Sequence, residues 1–285
     1  MADSGTRSVG SYLEKIFSLD GKVILFTGAT GGIGSVLCRG FASAGASVAL
    51  CDVDAGKLAE LEKEILAETE GRETSPSGFE RVSSFTLDLT RMDDIVNCVD
   101  RAIRRYGRID VLFNCAGINK REGLLDVEES TYDRIMQINL KGLYFISQEV
   151  AKHMRKAGKG NIINMASHNS VGMLGGCSVY GATKSAVTAL TRSMAVEWAK
   201  FGIRANAIAP GHILTPLTTV TWEHPTRSRY LKERIAMERP GTPEEILGTA
   251  LLLASDASSY MSGMMVHIDG GCLAGGAPWD FDTRY

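Results

Sequence analysis

The chain has 285 residues, of which 44% are hydrophobic, with 31 Lys and Arg against 33 Asp and Glu. A formal net charge of −2 offers no basic surface to nucleic acid or to an anionic membrane, and the apolar content excludes disorder for most of the chain. The six cysteines form no CxxC pair, and nowhere do about eighteen apolar residues run together. We therefore expect a globular cytoplasmic protein without a metal site, a secretion signal or a spanning helix.

Short apolar runs alternate with longer helical stretches and predict an α/β domain. Seven runs are apolar at consecutive positions, as strands covered on both faces must be; they are residues 23–27, 47–51, 82–87, 111–114, 161–165, 204–208 and 265–268. Apolar residues three and four apart predict helices between them, at 33–44, 55–69, 92–106, 129–156, 179–200 and 243–254. Parallel neighbours require crossovers of this length. The predicted fold is a single parallel sheet of about seven strands with helices on both faces.

Residues 21–274 form the predicted domain, with an N-terminal extension at 1–20 and a C-terminal tail at 275–285. A polar stretch at 70–78 is expected to be a surface loop. Residues 217–240 follow a Pro-Gly turn and precede the last helix, where an open α/β sheet places a flap over its pocket. We predict a lid there. Its five basic side chains against three acids either select an anion or form a solvated helix face.

The first predicted strand leads directly into a glycine-rich turn and then into a helix. The turn reads TGATGGIG over residues 27–34. Glycines let the backbone approach a pyrophosphate, and the helix N-terminus offers unpaired N–H groups and the positive end of its dipole. The alternative is a tight turn without a ligand, which the strand, turn and helix order disfavours. The predicted dinucleotide site contains Gly28, Thr30, Gly31, Gly32, Ile33 and Gly34.

Two acids at predicted strand ends bear on the choice of cofactor. Asp52 ends the second strand, near the expected place of a ribose 2′-hydroxyl, and a carboxylate there accepts from the hydroxyl and repels a 2′-phosphate. We therefore predict NAD rather than NADP, unless Asp52 only begins a turn. Asp88 ends the third strand and is either an acceptor for the adenine amine or the N-cap of the next helix.

A serine, a tyrosine and a lysine form the candidate catalytic group. Tyr180 and Lys184 are four residues apart at the start of a predicted helix, so both side chains project from one face. A nearby ammonium favours ionisation of a phenol. The alternative is a core tyrosine with a solvated lysine. Ser167 follows the strand at 161–165, and the carboxyl ends of parallel strands meet at the ligand crevice, which favours the catalytic interpretation.

Together these motifs resemble the short-chain dehydrogenase/reductase superfamily, over TGATGGIG, NCAG at 114–117, Asn139, Ser167 with YxxxK, and Pro210-Gly211. The resemblance implies a Rossmann fold, with Tyr180 as general acid/base, Ser167 orienting the reacting oxygen and Lys184 bonding the nicotinamide ribose. It also implies that Asn139 anchors a water for proton relay, unless it is a helix residue that bonds backbone. Further implied cofactor contacts are Leu89, Asn114, Ala116, Gly117, Pro210, Gly211, Ile213 and Thr215.

The residues expected around the substrate are polar: Arg121, His168, Asn169 and His212. A steroid or fatty acyl chain would need an apolar pocket. Within the superfamily, segments such as GINKR at 117–121 resemble gluconate 5-dehydrogenases and 2-deoxy-gluconate 3-dehydrogenases. That resemblance implies that Arg121 binds an acid group of the substrate, a task that suits a bidentate guanidinium.

The sequence therefore predicts an NAD-dependent enzyme that interconverts a secondary alcohol and a ketone on a sugar acid, sugar or polyol. By resemblance it is a homotetramer or dimer, and the tail at 275–285 is expected to pack on a neighbouring subunit. One alternative is an enzyme like the 3-oxoacyl carrier-protein reductases, which would prefer NADPH. The other is a non-catalytic dinucleotide-binding sensor.

Overall fold

The computed structural model describes residues 9–69 and 78–276. Its centre is a seven-stranded sheet in which all neighbours are parallel. The strands are β1 (Val23–Thr27), β2 (Ser47–Asp52), β3 (Val82–Thr86), β4 (Val111–Asn114), β5 (Gly160–Met165), β6 (Ile203–Pro210) and β7 (Met265–Ile268). They lie in the order β3-β2-β1-β4-β5-β6-β7. The predicted single-domain Rossmann fold is confirmed, with strand ends within two residues of those predicted.

Ten α-helices occur in the described residues. They are α1 (Val9–Phe17), α2 (Gly34–Ser43), α3 (Ala55–Glu68), α4 (Met92–Tyr106), α5 (Glu129–Met136), α6 (Leu143–Ala157), α7 (Ser178–Trp198), α8 (Thr219–Trp222), α9 (Pro225–Lys232) and α10 (Glu244–Ala254). Helix α1 was not predicted, and it lies in the segment expected to be an extension. Leu19, just after it, is fully buried in the core. Most of the predicted loop at 70–78 and of the tail at 275–285 lies outside the described residues.

The helix predicted over 129–156 is interrupted in the structure. Between α5 and α6 the chain forms a π-helical turn, Gln137–Gly142. A Cβ on Gly142 would lie 2.7 Å from the Cβ of Leu89, so this turn approaches the end of β3 more closely than another residue would allow. The π turn also carries Asn139 inward, where its side chain bonds another segment. Such wide turns inside helices often occur at functional sites.

Two apolar cores cover the two faces of the sheet. Because side chains alternate along a strand, Ile24 and Phe26 of β1 join one core while Val23 and Leu25 join the other. The ring of Phe26 stacks on that of Phe113 from β4, with centroids 4.7 Å apart. Each such side chain contributes about 1.5–3 kcal/mol when buried. Burial on both faces explains why β1 reads as a continuous apolar run.

The strand order reverses between β1 and β4, and this switch point fixes the place of the site. On one side of β1 the chain proceeds outward to β2 and β3, and on the other to β4 and beyond. The loops at the carboxyl ends of β1 and β4 therefore diverge and leave a crevice between them. None of the described helices is both long and apolar enough to cross a membrane.

Candidate active site

One cavity of about 930 Å³ lies at the carboxyl ends of β1, β4, β5 and β6. Ligand pockets commonly enclose about 300–1,000 Å³. All the predicted site residues line this cavity except Asn114 and Asn139. The topology therefore brings the two ends of the predicted site, the glycine-rich turn and the catalytic group, into one continuous space.

The glycine-rich turn is shaped as a cradle for a phosphate. Gly28 has φ +72°, and a Cβ there would lie 2.7 Å from the backbone of Ala116. A Cβ on Gly34 would clash with the carbonyl oxygen of Gly28. Since Gly34 begins α2, the turn delivers unpaired N–H groups of a helix N-terminus to the cavity. Side chains at these glycine positions would fill the cradle. The space that the glycines leave open fits the pyrophosphate of a dinucleotide.

The Asp52 carboxylate is turned toward this cradle. Its Oδ2 accepts hydrogen bonds from the Thr30 backbone N–H at 3.0 Å and from the Thr30 hydroxyl at 2.7 Å, while Oδ1 accepts from the Val53 N–H at 2.7 Å. A carboxylate has about four acceptor positions, so one stays available on Oδ1 for a ribose hydroxyl. Asp52 thus does more than begin a turn, because it joins the end of β2 to the phosphate cradle.

Lys57 is a cavity residue that the sequence analysis missed. It lies in the first turn of α3 and lines the cavity beside Asp52 and Val53. Its ammonium is 3.6 Å from the carboxylate of Asp54, the N-cap of α3. The signal in the sequence is a lysine in the first turn of the helix that follows β2.

Asp88 is not the N-cap of the next helix. Helix α4 begins at Met92, and Arg91 occupies the N-cap position, so that alternative is wrong. Instead, Oδ1 of Asp88 accepts from the N–H and the hydroxyl of Thr90, at 2.8 and 2.7 Å. This turn holds the carboxyl at the cavity wall beside Leu89, where its contact with an adenine amine stays a prediction.

Ser167, Tyr180 and Lys184 meet where β5 ends and α7 begins. The Lys184 Nζ donates to the Met165 carbonyl oxygen at 2.6 Å and lies 5.6 Å from the centroid of the Tyr180 ring. The Ser167 hydroxyl lies close enough to the Tyr180 phenol to lower its pKa. Lys184 is only 3% exposed, so it is not the solvated lysine of the alternative interpretation.

Burial sets the protonation of this pair. Desolvation raises the pKa of Tyr180 above its ordinary value, and the nearby Ser167 hydroxyl partly offsets that effect. Desolvation also lowers the pKa of Lys184 to about 8, with a smaller opposite effect from Cys115. Both shifts have the sign expected when a low-dielectric environment disfavours a charge. At neutral pH Tyr180 is therefore a phenol, and Lys184 is an ammonium poised to lose its charge in mild alkali.

Asn139 and Asn114 lie behind the cavity wall. The Asn139 Oδ1 accepts from the Ile118 N–H and its Nδ2 donates to the Ile118 carbonyl, both at 2.8 Å. Asn139 is thus a helix residue that bonds backbone, and its role in a proton relay stays a prediction. Asn114 donates to Ser147 and Asn164, each at 2.9 Å. Asn139 therefore holds the loop after β4, whereas Asn114 joins the end of β4 to α6 and β5.

Two histidines and a tryptophan form the opposite end of the cavity. The ring centroids of His168 and His212 are 4.6 Å apart, and those of His212 and Trp222 are 6.3 Å apart. Desolvation lowers the pKa of His212 to about 4, helped by His168 and by the charge of Arg121. Trp222 was not predicted individually, although it lies in the predicted lid. The Arg121 guanidinium also lines this end.

The segment predicted as a lid folds into α8 and α9 and contributes one wall. Leu217, Thr221, Trp222 and Leu231 from this segment line the cavity. Its basic side chains do not line it and are exposed, namely Arg227, Arg229, Lys232, Arg234 and Arg239. The basic side chains of this segment therefore face solvent, whereas its side chains that line the cavity are mainly apolar.

Comparison with known proteins supports this geometry. Residues 28–272 match the family model described as Enoyl-(Acyl carrier protein) reductase. The chain is 40% identical over 261 residues to 2-dehydro-3-deoxy-D-gluconate 5-dehydrogenase of Escherichia coli (strain K12), covering 90% of this chain and 98% of that protein. It is 39% identical over 258 residues to a 3-oxoacyl-[acyl-carrier-protein] reductase of Thermotoga maritima, covering 90% and 99%.

A solved structure of a related enzyme is also similar to this chain. The gluconate 5-dehydrogenase from Burkholderia cenocepacia J2315, in complex with NADP and tartrate, has a TM-score of 0.85 and 34% identity, covering 92% of this chain and 98% of that one. The residues that match the family model, 28–272, include both the glycine-rich turn from Gly28 and the catalytic group. This chain belongs to the short-chain dehydrogenase/reductase family and is a dinucleotide-dependent oxidoreductase.

Proposed function

We propose that this protein is an NAD-dependent dehydrogenase that interconverts a secondary alcohol and a ketone on a sugar acid. One observation carries the choice of substrate: Arg121 lines the cavity, its charge acts on His212 there, and its guanidinium makes no ion pair or hydrogen bond with any residue in 9–69 or 78–276. A cation without a protein partner at a cavity wall is suited to a carboxylate. The names of the Escherichia coli and Burkholderia relatives, which are sugar-acid dehydrogenases, support the same class.

The chain's own residues would move the proton. When bound, the dinucleotide supplies or accepts the hydride. Ser167 and Tyr180 would hold the reacting oxygen, since both residues line the cavity and the Ser167 hydroxyl lies close enough to the Tyr180 phenol to act on its pKa. As a phenol at neutral pH, Tyr180 can donate its proton to a forming alkoxide. In the direction of oxidation it must take a proton, and the nearby Lys184 ammonium favours the phenolate.

Asp52 supports NAD over NADP. Its carboxylate faces the phosphate cradle with one acceptor position left, which fits a 2′-hydroxyl and repels a 2′-phosphate. The Burkholderia structure contains NADP, and the ammonium of Lys57, which lines the cavity with Asp52, is a cation that can pair with a 2′-phosphate. Because the Lys57 ammonium lies near Asp54, its charge is partly balanced, so we infer that Asp52 decides the preference.

A reductase of 3-oxoacyl carrier-protein thioesters is the second candidate, favoured by the Thermotoga relative. An acyl chain would need an apolar tunnel beyond Tyr180. Here that space is occupied by His168 and His212, with Arg121 at its edge. We therefore propose the sugar acid as substrate, and the experiment described next also tests the reduction of an acyl thioester. Assembly as a homotetramer or dimer stays a prediction, as does the location in the cytoplasm. Sedimentation of the purified protein would test the oligomeric state.

The test is a turnover panel followed by one substitution. Aldonates, uronates, sulfonated sugars, neutral polyols and an acyl thioester are each assayed with NAD and with NADP by the absorbance of the reduced nicotinamide. We expect turnover on an acidic sugar with NAD. In the Arg121→Met variant, KM for that acid should rise about 10- to 100-fold with kcat little changed, as for loss of a charge-assisted hydrogen bond.

The matched control is Arg227→Met, which removes an exposed arginine outside the cavity and should leave KM unchanged. Turnover only on neutral polyols, or an unchanged KM in Arg121→Met, would refute the role of Arg121. Turnover only on the thioester with NADPH would favour the second candidate. Tight NADH binding without turnover on any substrate would favour the non-catalytic sensor.

A further inference from the structure

The last described residues run beside the segment that forms α8 and α9. The Met237 N–H donates to the Gly270 carbonyl oxygen at 3.0 Å. Further along, a Cβ on Gly276 would lie 3.3 Å from the backbone of Arg234. After β7 the chain therefore turns back from Met237 toward α9. Residues 277–285 continue from a point that is two positions beyond the end of α9.

Helix α9 ends in two neighbouring cations, Arg229 and Lys232, which we call the cation pair. They are three residues apart and so lie on one side of the helix. Both are exposed, and neither side chain forms an ion pair or a hydrogen bond within the described ranges 9–69 and 78–276. Glu233, the next acid along the chain, pairs with neither of them. Arg234 is different, because its guanidinium covers the Tyr230 ring at 3.5 Å.

The sequence of α9, PTRSRYLK, contains no acid that could balance the cation pair. Cations in a last turn interact favourably with the helix dipole, but like charges three residues apart repel each other. A segment that brings carboxylates to this side of α9 would remove the repulsion and form charge-assisted hydrogen bonds. The cation pair is therefore a surface suited to an acidic segment of chain.

Residues 277–285 have the composition that fits this surface. They read APWDFDTRY, with two acids, Asp280 and Asp282, among aromatic residues and one base, Arg284. Carboxylates pair with lysine and arginine, and aromatic rings stack on guanidinium groups. Asp280 is four residues beyond Gly276, and four extended residues reach about 13 Å. One helical turn is only about 5.4 Å long, so the acids can reach the end of α9.

We propose that residues 277–285 dock on the cation pair of their own α9, with Asp280 and Asp282 as its counter-charges, and so brace this helix from outside. Leu231, on the opposite side of α9, is 3% exposed and lines the cavity. The helix thus faces the cavity on one side and an acidic segment on the other. The docking surface does not depend on which substrate the cavity takes.

The first experiment measures hydrogen exchange at the backbone amides of α9 in the full-length protein. Asp280→Lys with Asp282→Lys should raise the exchange rate at least about fivefold, because the helix loses its brace and opens more often. Arg229→Glu with Lys232→Glu should raise it as well. When all four substitutions are combined the charges are again opposite, so most of the protection should return.

The matched control reverses two exposed cations on other helices, Arg104→Glu in α4 and Lys156→Glu in α6. It should leave exchange in α9 unchanged. A general loss of stability would persist in the combined variant, so the absence of any recovery there would overturn the proposal. Unchanged exchange after reversal of the two acids would overturn it too.

The second experiment couples carboxylates to neighbouring amines in the wild type with a water-soluble carbodiimide. We expect an amide between Lys232 and Asp280 or Asp282, identified by mass spectrometry in protein that migrates at the mass of one chain. Lys232→Arg keeps the charge but offers no amine, so it should lose this link and retain the slow exchange of α9. A link found only at the mass of two chains would place the segment on a neighbouring subunit and overturn docking within the chain. The absence of a link from either acid to Lys232 would overturn the docking itself.

Discussion

The two ends of the cavity are built in different ways. The cofactor end is formed mainly by one continuous unit, β1 to β2, in which glycines bring backbone close to backbone. The substrate end is formed by side chains from separate segments: Arg121 after β4, His168 after β5, His212 after β6 and Trp222 in α8. Tyr180 and Lys184 stand between the two ends.

This difference predicts how each end responds to substitution. A backbone cradle does not tolerate an added side chain, because the atoms that would move belong to the sheet and to α2. A wall of side chains can change without affecting the sheet, so substitutions there should alter preference more than folding. The expected effects are therefore largest at the junction between the two ends, where Tyr180 and Lys184 lie, and next largest at the glycine cradle. They are smallest at the far wall, which includes His212 and Trp222.

The largest expected effect is at the junction. Tyr180→Phe removes the only proposed proton donor while keeping the ring beside Lys184, so turnover should fall about 10²- to 10⁴-fold. NADH affinity, measured by fluorescence titration, should change little. The control is Tyr144→Phe, which removes a hydroxyl from an exposed ring on α6 and should keep full activity. Substantial turnover in Tyr180→Phe would show that another group moves the proton.

At the cradle, we predict that Gly34→Ala loses cofactor affinity and stability together. Its Cβ would clash with the Gly28 carbonyl, and such overpacking costs about 1–3 kcal/mol. The matched control is Gly248→Ala in α10, where a Cβ would meet nothing within 4 Å and should stabilise the helix by about 1 kcal/mol. Calorimetry with and without NADH measures both effects. A Gly34→Ala protein with unchanged melting and affinity would contradict the backbone cradle.

The fold and the cofactor end were predictable because both depend on local patterns. Consecutive apolar residues identify a strand buried on both faces, and glycines before a helix identify the cradle. The π turn at Gln137–Gly142 was not predictable, because apolar spacing continues through it and the cause is a long-range bond from Asn139 to Ile118. Helix α1 was also missed, since a short helix at a chain end has a weak periodic signal.

At the substrate end the sequence predicted residue types but not their partners. His168 and His212 were predicted in the pocket, yet their ring contact joins segments after different strands. Lys57 was missed because its place beside Asp52 depends on the direction in which α3 leaves β2. The basic side chains of α9 could be assigned to solvent only once the helix orientation was known. The spacing of apolar residues along the sequence does not reveal contacts between distant segments.

Asp52 tests the cofactor end through a side chain rather than the backbone. Asp52→Ser should reduce the preference for NAD over NADP by about 10- to 100-fold in kcat/KM, because a charge that repels a 2′-phosphate is lost. Adding Lys57→Met should remove part of the gained NADP activity. Glu60→Gln, which changes an exposed acid of α3 outside the cavity, is the control. An unchanged preference in Asp52→Ser would assign the choice of cofactor elsewhere.

The smallest expected effect is at the far wall and concerns pH. Burial, with help from His168 and the Arg121 charge, lowers the pKa of His212 to about 4, against about 6.5 for an unfolded histidine. Between these values the unfolded chain binds a proton that the folded chain refuses, so the free energy of unfolding falls as pH drops from 6.5 toward 4. His212→Phe keeps a ring against Trp222 and cannot bind that proton. It should therefore lose about 2 kcal/mol less than the wild type between pH 7 and pH 5, whereas His153→Phe should follow the wild type. Denaturant midpoints at the two pH values measure the difference, and equal losses in His212→Phe and the wild type would mean that the folded protein protonates His212 as readily as the unfolded chain does.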